Sequence, residues 1–132
     1  MSGSWGEAQT LAKIVIIDDE ELICDALSDF LRHAGHEVFV APDGAEGIAL
    51  VEEQNPSVVL VDIVMPTKDG IEVIQELSKA NEVAKIVAMS GGGRGRSIDY
   101  LAFAKKLGAD HVLHKPFDTR ELLEKLDGWF AT

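Results

Sequence analysis

The sequence predicts an α/β domain of the form (βα)5: a doubly wound parallel sheet of five strands with helices on both faces. Three observations predict it. Five short apolar runs recur along the chain, and four of them are nearly continuous and rich in β-branched residues, as strands covered on both faces are. Between the runs lie segments of about 10 to 14 residues with a helical period. The 132 residues amount to one domain's worth of chain, with no Pro/Gly/Ser-rich linker at which a second domain would begin.

Taken in order, residues 1–12 (MSGSWGEAQTLA) are small and polar apart from Trp5 and Leu11 and read as a mobile N-terminal tail. Residues 13–132 are left for the domain. The first run, Ile14 to Ile17, leads to a helix whose stripe is Ile23, Ala26, Leu27, Phe30 and Leu31, stopped before Gly35. The second run is Val38 to Ala41 and the third Val58 to Val61. The fourth, Ile86 to Met89, precedes a helix over about Ser97 to Leu107 that stops at Gly108. The fifth and weakest is His111 to His114. A last helix over about Thr119 to Trp129 follows, with Leu122, Leu126 and Trp129 or Phe130 facing the sheet.

Three helices open alike, with Asp43-Gly-Ala-Glu46, Asp69-Gly-Ile-Glu72 and Asp118-Thr-Arg-Glu121. In each the Asp suits acceptance from the third helical amide and the Glu can reach back, both charges favouring the positive end of the helix dipole. These are helix-start signals. Right-handed crossovers between parallel strands leave the helices outside the sheet.

Twelve Lys and Arg against 23 Asp and Glu leave a net charge of −11, which repels nucleic acid and anionic bilayers on average. Neither is expected as a partner. The single Cys24 cannot form an internal disulfide, no run approaches the ~20 apolar residues of a membrane span, and no signal-peptide pattern opens the chain. The expected location is cytoplasmic.

Ligands of such sheets bind at the carboxyl ends of the strands. After the first run come Asp18, Asp19, Glu20 and Glu21; after the third, Asp62; after the fourth, Ser90; after the fifth, Lys115 and Pro116. One sheet edge thus collects carboxylates, a hydroxyl and an ammonium. Each has an ordinary reading alone: a solvated loop, a turn former, a surface lysine. Their joint occurrence at four strand ends does not. Charge that ends a buried strand is costly, and converging carboxylates repel unless a divalent cation joins them. Oxygen ligands in a small hydrated site suit Mg²⁺.

With these residues in place the chain resembles a response-regulator receiver domain of two-component signalling. The segments that carry the resemblance are IVIIDDEE at Ile14 to Glu21, VVLVDIVMPTKDG at Val58 to Gly70, IVAMSG at Ile86 to Gly91 and GADHVLHKPFD at Gly108 to Asp118. The resemblance implies a flavodoxin-like sheet of strand order 2-1-3-4-5, the order of flavodoxin and of chemotaxis receivers. It also implies that Asp62 is the phosphoacceptor, that Asp18, Asp19, Asp62 and the backbone carbonyl of Val64 hold Mg²⁺, that Ser90 turns to a phosphoryl oxygen, and that Lys115 pairs with Asp62 and then with the phosphoryl group. Pro116 is expected to set a cis turn. The implied donor is a histidine kinase or histidine phosphotransfer protein. The output would be a conformational change in the loop after the fourth strand and in the face of fourth helix, fifth strand and last helix. The chain is expected to be a monomer or weak dimer that catalyses only its own phosphotransfer and autodephosphorylation.

The sequence also departs from the family. Val112 stands where receivers often carry an aromatic switch partner, and GGGRGRS after Ser90 brings Arg94 and Arg96 near the site without forming a phosphate-binding glycine motif. Val64 and Gly92, which flank the phosphoryl group in receivers, cannot hydrogen-bond a water through their side chains, so a slow decay of the phosphorylated form is expected. His111 and His114, three apart on a strand, point to opposite faces and cannot share a metal.

Competing functions fare less well. An aspartyl-phosphate phosphatase needs Asp-x-Asp after the first strand, where this chain has Asp18-Asp19-Glu20. A flavodoxin-like electron carrier needs a hydroxyl-rich phosphate loop where the acidic run lies. A degenerate scaffold receiver is disfavoured because the key positions are filled. A phosphate sink or relay stays open, as do the cognate kinase and the target.

Overall fold

In the computed structural model, which describes residues 11–63, 70–80, 84–90, 102–115 and 118–131, the strands are β1 (Lys13–Ile17), β2 (Glu37–Ala41), β3 (Val58–Asp62), β4 (Lys85–Ser90) and β5 (His111–His114). The helices are α1 (Glu21–His33), α2 (Gly44–Gln54), α3 (Gly70–Lys79), α4 with described residues 102–107, and α5 (Thr119–Ala131). All strand pairings are parallel, in the order β2-β1-β3-β4-β5, as the resemblance implies.

Alternation along the strands feeds two cores. Val15, Ile17, Val59, Val61, Ile86 and Ala88 face Val51 of α2, Ile74 and Leu77 of α3 and Ala104 of α4. Ile14, Ile16, Val58, Leu60, Val87 and Met89 face Cys24, Leu27 and Leu31 of α1 and Leu122 and Leu126 of α5. Two opposed apolar faces explain why the runs read as nearly unbroken.

The buried stripe of α1 differs from the expected one. It is Cys24, Leu27, Ser28 and Leu31, while Ala26 is exposed and Ile23 and Phe30 are half-buried. The small Cys24 and Ser28 let the helix lie close to the sheet, and the Ser28 hydroxyl donates to the Asp25 carbonyl, which makes its burial tolerable. The helix stops as expected: Gly35 has φ +101°, its N–H donates to the Arg32 carbonyl, and the His36 N–H returns to that of Leu31.

The aspartate caps are unequal. Asp43 accepts from the Glu46 N–H at 2.9 Å, the third helical amide as predicted. Asp118 accepts from Arg120 instead, the second, at 2.8 Å. Asp69 lies outside the described residues, as do Val64, Pro116, Trp5, the GGGRGRS loop with Gly92, and the first part of the expected fourth helix. The side chains of Trp129 and Phe130 are likewise not described. Ala12, assigned by sequence to the tail, is buried, donates to His36 Nδ1 at 3.0 Å and accepts from the Glu37 N–H, so the fold takes it in.

Candidate functional site

β1 and β3 are adjacent, so their carboxyl ends bring Asp18 and Asp62 to one point of the sheet edge. Both carboxylates are buried. Backbone bonds fix them there: the Asp18 N–H donates to the Ala41 carbonyl, and the Ile63 N–H, next to Asp62, donates to that of Met89. Gly70 opens α3 directly behind Asp62. A Cβ at this position would overlap the Asp62 carbonyl oxygen and the Ile63 Cα, so only glycine lets the helix start so close to Asp62.

β5 delivers the cation. The Lys115 N–H donates to the Ser90 carbonyl at 2.7 Å, one step beyond the β4–β5 register. From there Lys115 Nζ lies 2.6 Å from Asp18 Oδ2, 3.2 Å from Glu20 Oε1 and 3.7 Å from Asp62 Oδ2. Burial by itself would lower the Lys115 pKa, but the hydrogen bond to Asp18 and the charges of Asp62 and Asp18 outweigh it and hold the ammonium above its ordinary value. It stays charged. Ser90, the last residue of β4, is buried at the same edge.

The acidic run divides by orientation. Asp18 Oδ1 accepts from the Glu20 N–H at 3.0 Å, a short turn that leads into α1, and Asp19 is exposed. Glu20 reaches back over the site, so that Asp18, Glu20 and Asp62 each offer an oxygen within 4.8 Å of the others. Sequence reasoning gave Glu20 no role. The signal for it was the run DDEE itself, which shows four carboxylates but not which of them the turn points inward. Oxygen-only donors at this spacing fit a hard divalent cation such as Mg²⁺.

Cys24 sits just below, its thiol donating to the Asp18 carbonyl at 3.3 Å. Burial, aided by the Asp18 charge, pushes its pKa up to about 12. The histidines of β5 stay apart: Leu113 enters one core and Val112 borders the other, so alternation sends His111 and His114 to opposite faces.

A family model described as the response regulator receiver domain matches residues 14–127. The chain belongs to that family. Receivers are signalling modules that act with histidine kinases or phosphotransfer proteins, and they typically bind Mg²⁺ at an acidic pocket. Among solved structures, this receiver is similar to a CheY-like receiver domain protein from Methanospirillum hungatei, at 30% identity and TM-score 0.82, covering 92% of this chain and 95% of that one. It also resembles the chemotaxis protein CheY4 of Vibrio cholerae, at 27% identity and TM-score 0.78 over 90% of this chain and 98% of that one. NtrX of Brucella abortus matches at 28% identity and TM-score 0.82; there the receiver covers 90% of itself and about a quarter, 26%, of the longer chain. No helix among the described residues is long and apolar enough to cross a membrane.

Proposed function

We propose that this receiver accepts a phosphoryl group on Asp62 from a histidine kinase or histidine phosphotransfer protein. The observation that carries the reading is the buried Asp62 carboxylate set 3.7 Å from the ammonium of Lys115, whose side chain is 8% exposed, at the strand edge where the other acidic groups converge. An Asp62 oxygen attacks phosphorus in line as the N–P bond of a phosphohistidine protonated on its other ring nitrogen breaks; the bond's electron pair stays on nitrogen and the imidazole leaves neutral. Because the transition state is loose, the chain contributes placement and charge more than acid–base chemistry. Lys115 neutralises charge on the phosphoryl oxygens. Asp18 and Asp62, with Asp19 and the Val64 carbonyl as the family pattern would add, would hold Mg²⁺, which would supply further neutralisation.

Ser90 then turns to a phosphoryl oxygen, and the shift passes to the loop after β4 and the face of α4, β5 and α5. Val112, half-buried against the core on the α3 and α4 side, offers no aromatic latch for that movement. The test is mass spectrometry after acetyl phosphate and Mg²⁺. A phosphoryl group on Asp62, absent from Asp62→Asn and absent in excess chelator, is expected. Label on another residue would overturn the assignment.

A further inference from the structure

We infer that Glu20 is a positioning residue of this site: it holds Lys115 beside Asp18 while no divalent cation is bound, and turns from the ammonium to the cation when one arrives, releasing Lys115 from that contact. The inference rests on the reading of Asp62 as phosphoacceptor.

The distances rank the partners of Lys115. Asp18 at 2.6 Å and Glu20 at 3.2 Å are within hydrogen-bond reach, whereas Asp62 at 3.7 Å is beyond it. Two carboxylates therefore hold the ammonium short of the third. Only one of the three can swing. The side chains of Asp18, which directly follows β1, and Asp62, which ends β3, are 0% and 6% exposed, but that of Glu20 is 55% exposed and has a longer stem. Its backbone is fixed, with its N–H on Asp18 Oδ1 and its carbonyl accepting from the Cys24 N–H. Glu20 is thus a movable carboxylate on a rigid base.

Charge gives the direction of movement. Asp18, Glu20 and Asp62 with the one ammonium, the exposed Asp19 left aside, carry 3 − 1 = 2 negative charges among groups whose carboxylate oxygens already lie within 4.8 Å, the charge a divalent cation neutralises. A dication entering there repels the ammonium and attracts the exposed carboxylate, so both displacements follow from one event. Without Glu20 the same cluster carries a single negative charge and binds the cation less tightly.

The test uses the full chain without phosphodonor. Mg²⁺ affinity is measured by calorimetry, and the Lys115 Nζ resonance by ¹⁵N-detected or proton-correlated NMR. In wild type, Mg²⁺ is expected to move the Nζ resonance. In Glu20→Gln, Mg²⁺ affinity falls roughly tenfold, as for other residues that support a metal site. The metal-free Nζ resonance of that variant already lies nearer the Mg²⁺-loaded position, and Glu20→Asp falls between the two. Wild-type affinity together with an unmoved Nζ resonance in Glu20→Gln would overturn the inference, as would a loss confined to Asp19→Asn. Failure of wild type to bind Mg²⁺, or binding unaffected by Asp18→Asn, would instead sink the phosphoacceptor reading itself.

Discussion

At the amino ends of the strands polar side chains serve the backbone, and at the carboxyl ends they confront one another. Ala12 donates to His36 Nδ1, Lys13 Nζ to the Gln54 carbonyl at 3.1 Å, and the Ile86 N–H to Asp110 Oδ2 at 2.8 Å. These bonds close the sheet at that end. At the other end Asp18, Glu20 and Asp62 gather around one ammonium. The same strands carry both ends, so the difference lies in what each side chain is asked to balance. One end spends its polar groups on local satisfaction; the other keeps an excess of negative charge that a ligand must complete.

Four expected outcomes bear on this contrast. The largest belongs to Lys115→Met, which leaves Asp18 and Asp62 buried without their cation and lowers stability by about 3 kcal/mol in urea unfolding. Mg²⁺ should recover part of that loss, and phosphorylation by acetyl phosphate should fail. A stability equal to wild type would show that the carboxylates need no counter-ion. Gly70→Ala is next: the added Cβ must displace α3 or the Asp62 backbone, costing about 2 kcal/mol and slowing phosphorylation. If the rate held while stability fell, the close approach of α3 would be structural alone.

At the opposite end, Asp110→Ala should cost about 1 kcal/mol by removing the acceptor of the Ile86 N–H, with the phosphorylation rate unchanged. A changed rate would mean the two ends are coupled. The smallest effect concerns acid. Burial holds the His36 pKa below its ordinary 6.5, against the opposing pull of Asp127. Its neutral ring accepts the Ala12 N–H, so the unfolded chain takes up a proton before the native one does. The stability it contributes is complete above about pH 6.5 and is lost as pH falls through the lowered native value. Urea midpoints between pH 7.5 and 5 should show this slope in wild type and less of it in His36→Gln.

Much of the architecture was legible because the apolar runs had to be buried on two faces, and the residues ending them fell on one edge by topology alone. Asp18, Asp62, Ser90 and Lys115 could be placed in this way. The stripe of α1 could be placed only at Leu27 and Leu31, since Cys24 and Ser28 carry weak hydrophobic signals and win their burial by being small. Glu20 escaped for a different reason: its direction depends on the tight turn that Asp18 Oδ1 makes with its N–H, a side-chain bond that no periodicity encodes. The tail boundary likewise missed Ala12, whose burial depends on His36, 24 residues away.

The Cys24 thiol has a practical use for anyone tracking the motion of this molecule. It is the chain's one cysteine, enclosed in the protein and reluctant to ionise, so maleimides and other thiol reagents should pass it by in the native state. A new cysteine on an exposed site such as Phe103 or Leu22 could then carry a dye or spin label by itself, without first removing the native sulfur and disturbing the floor of the pocket.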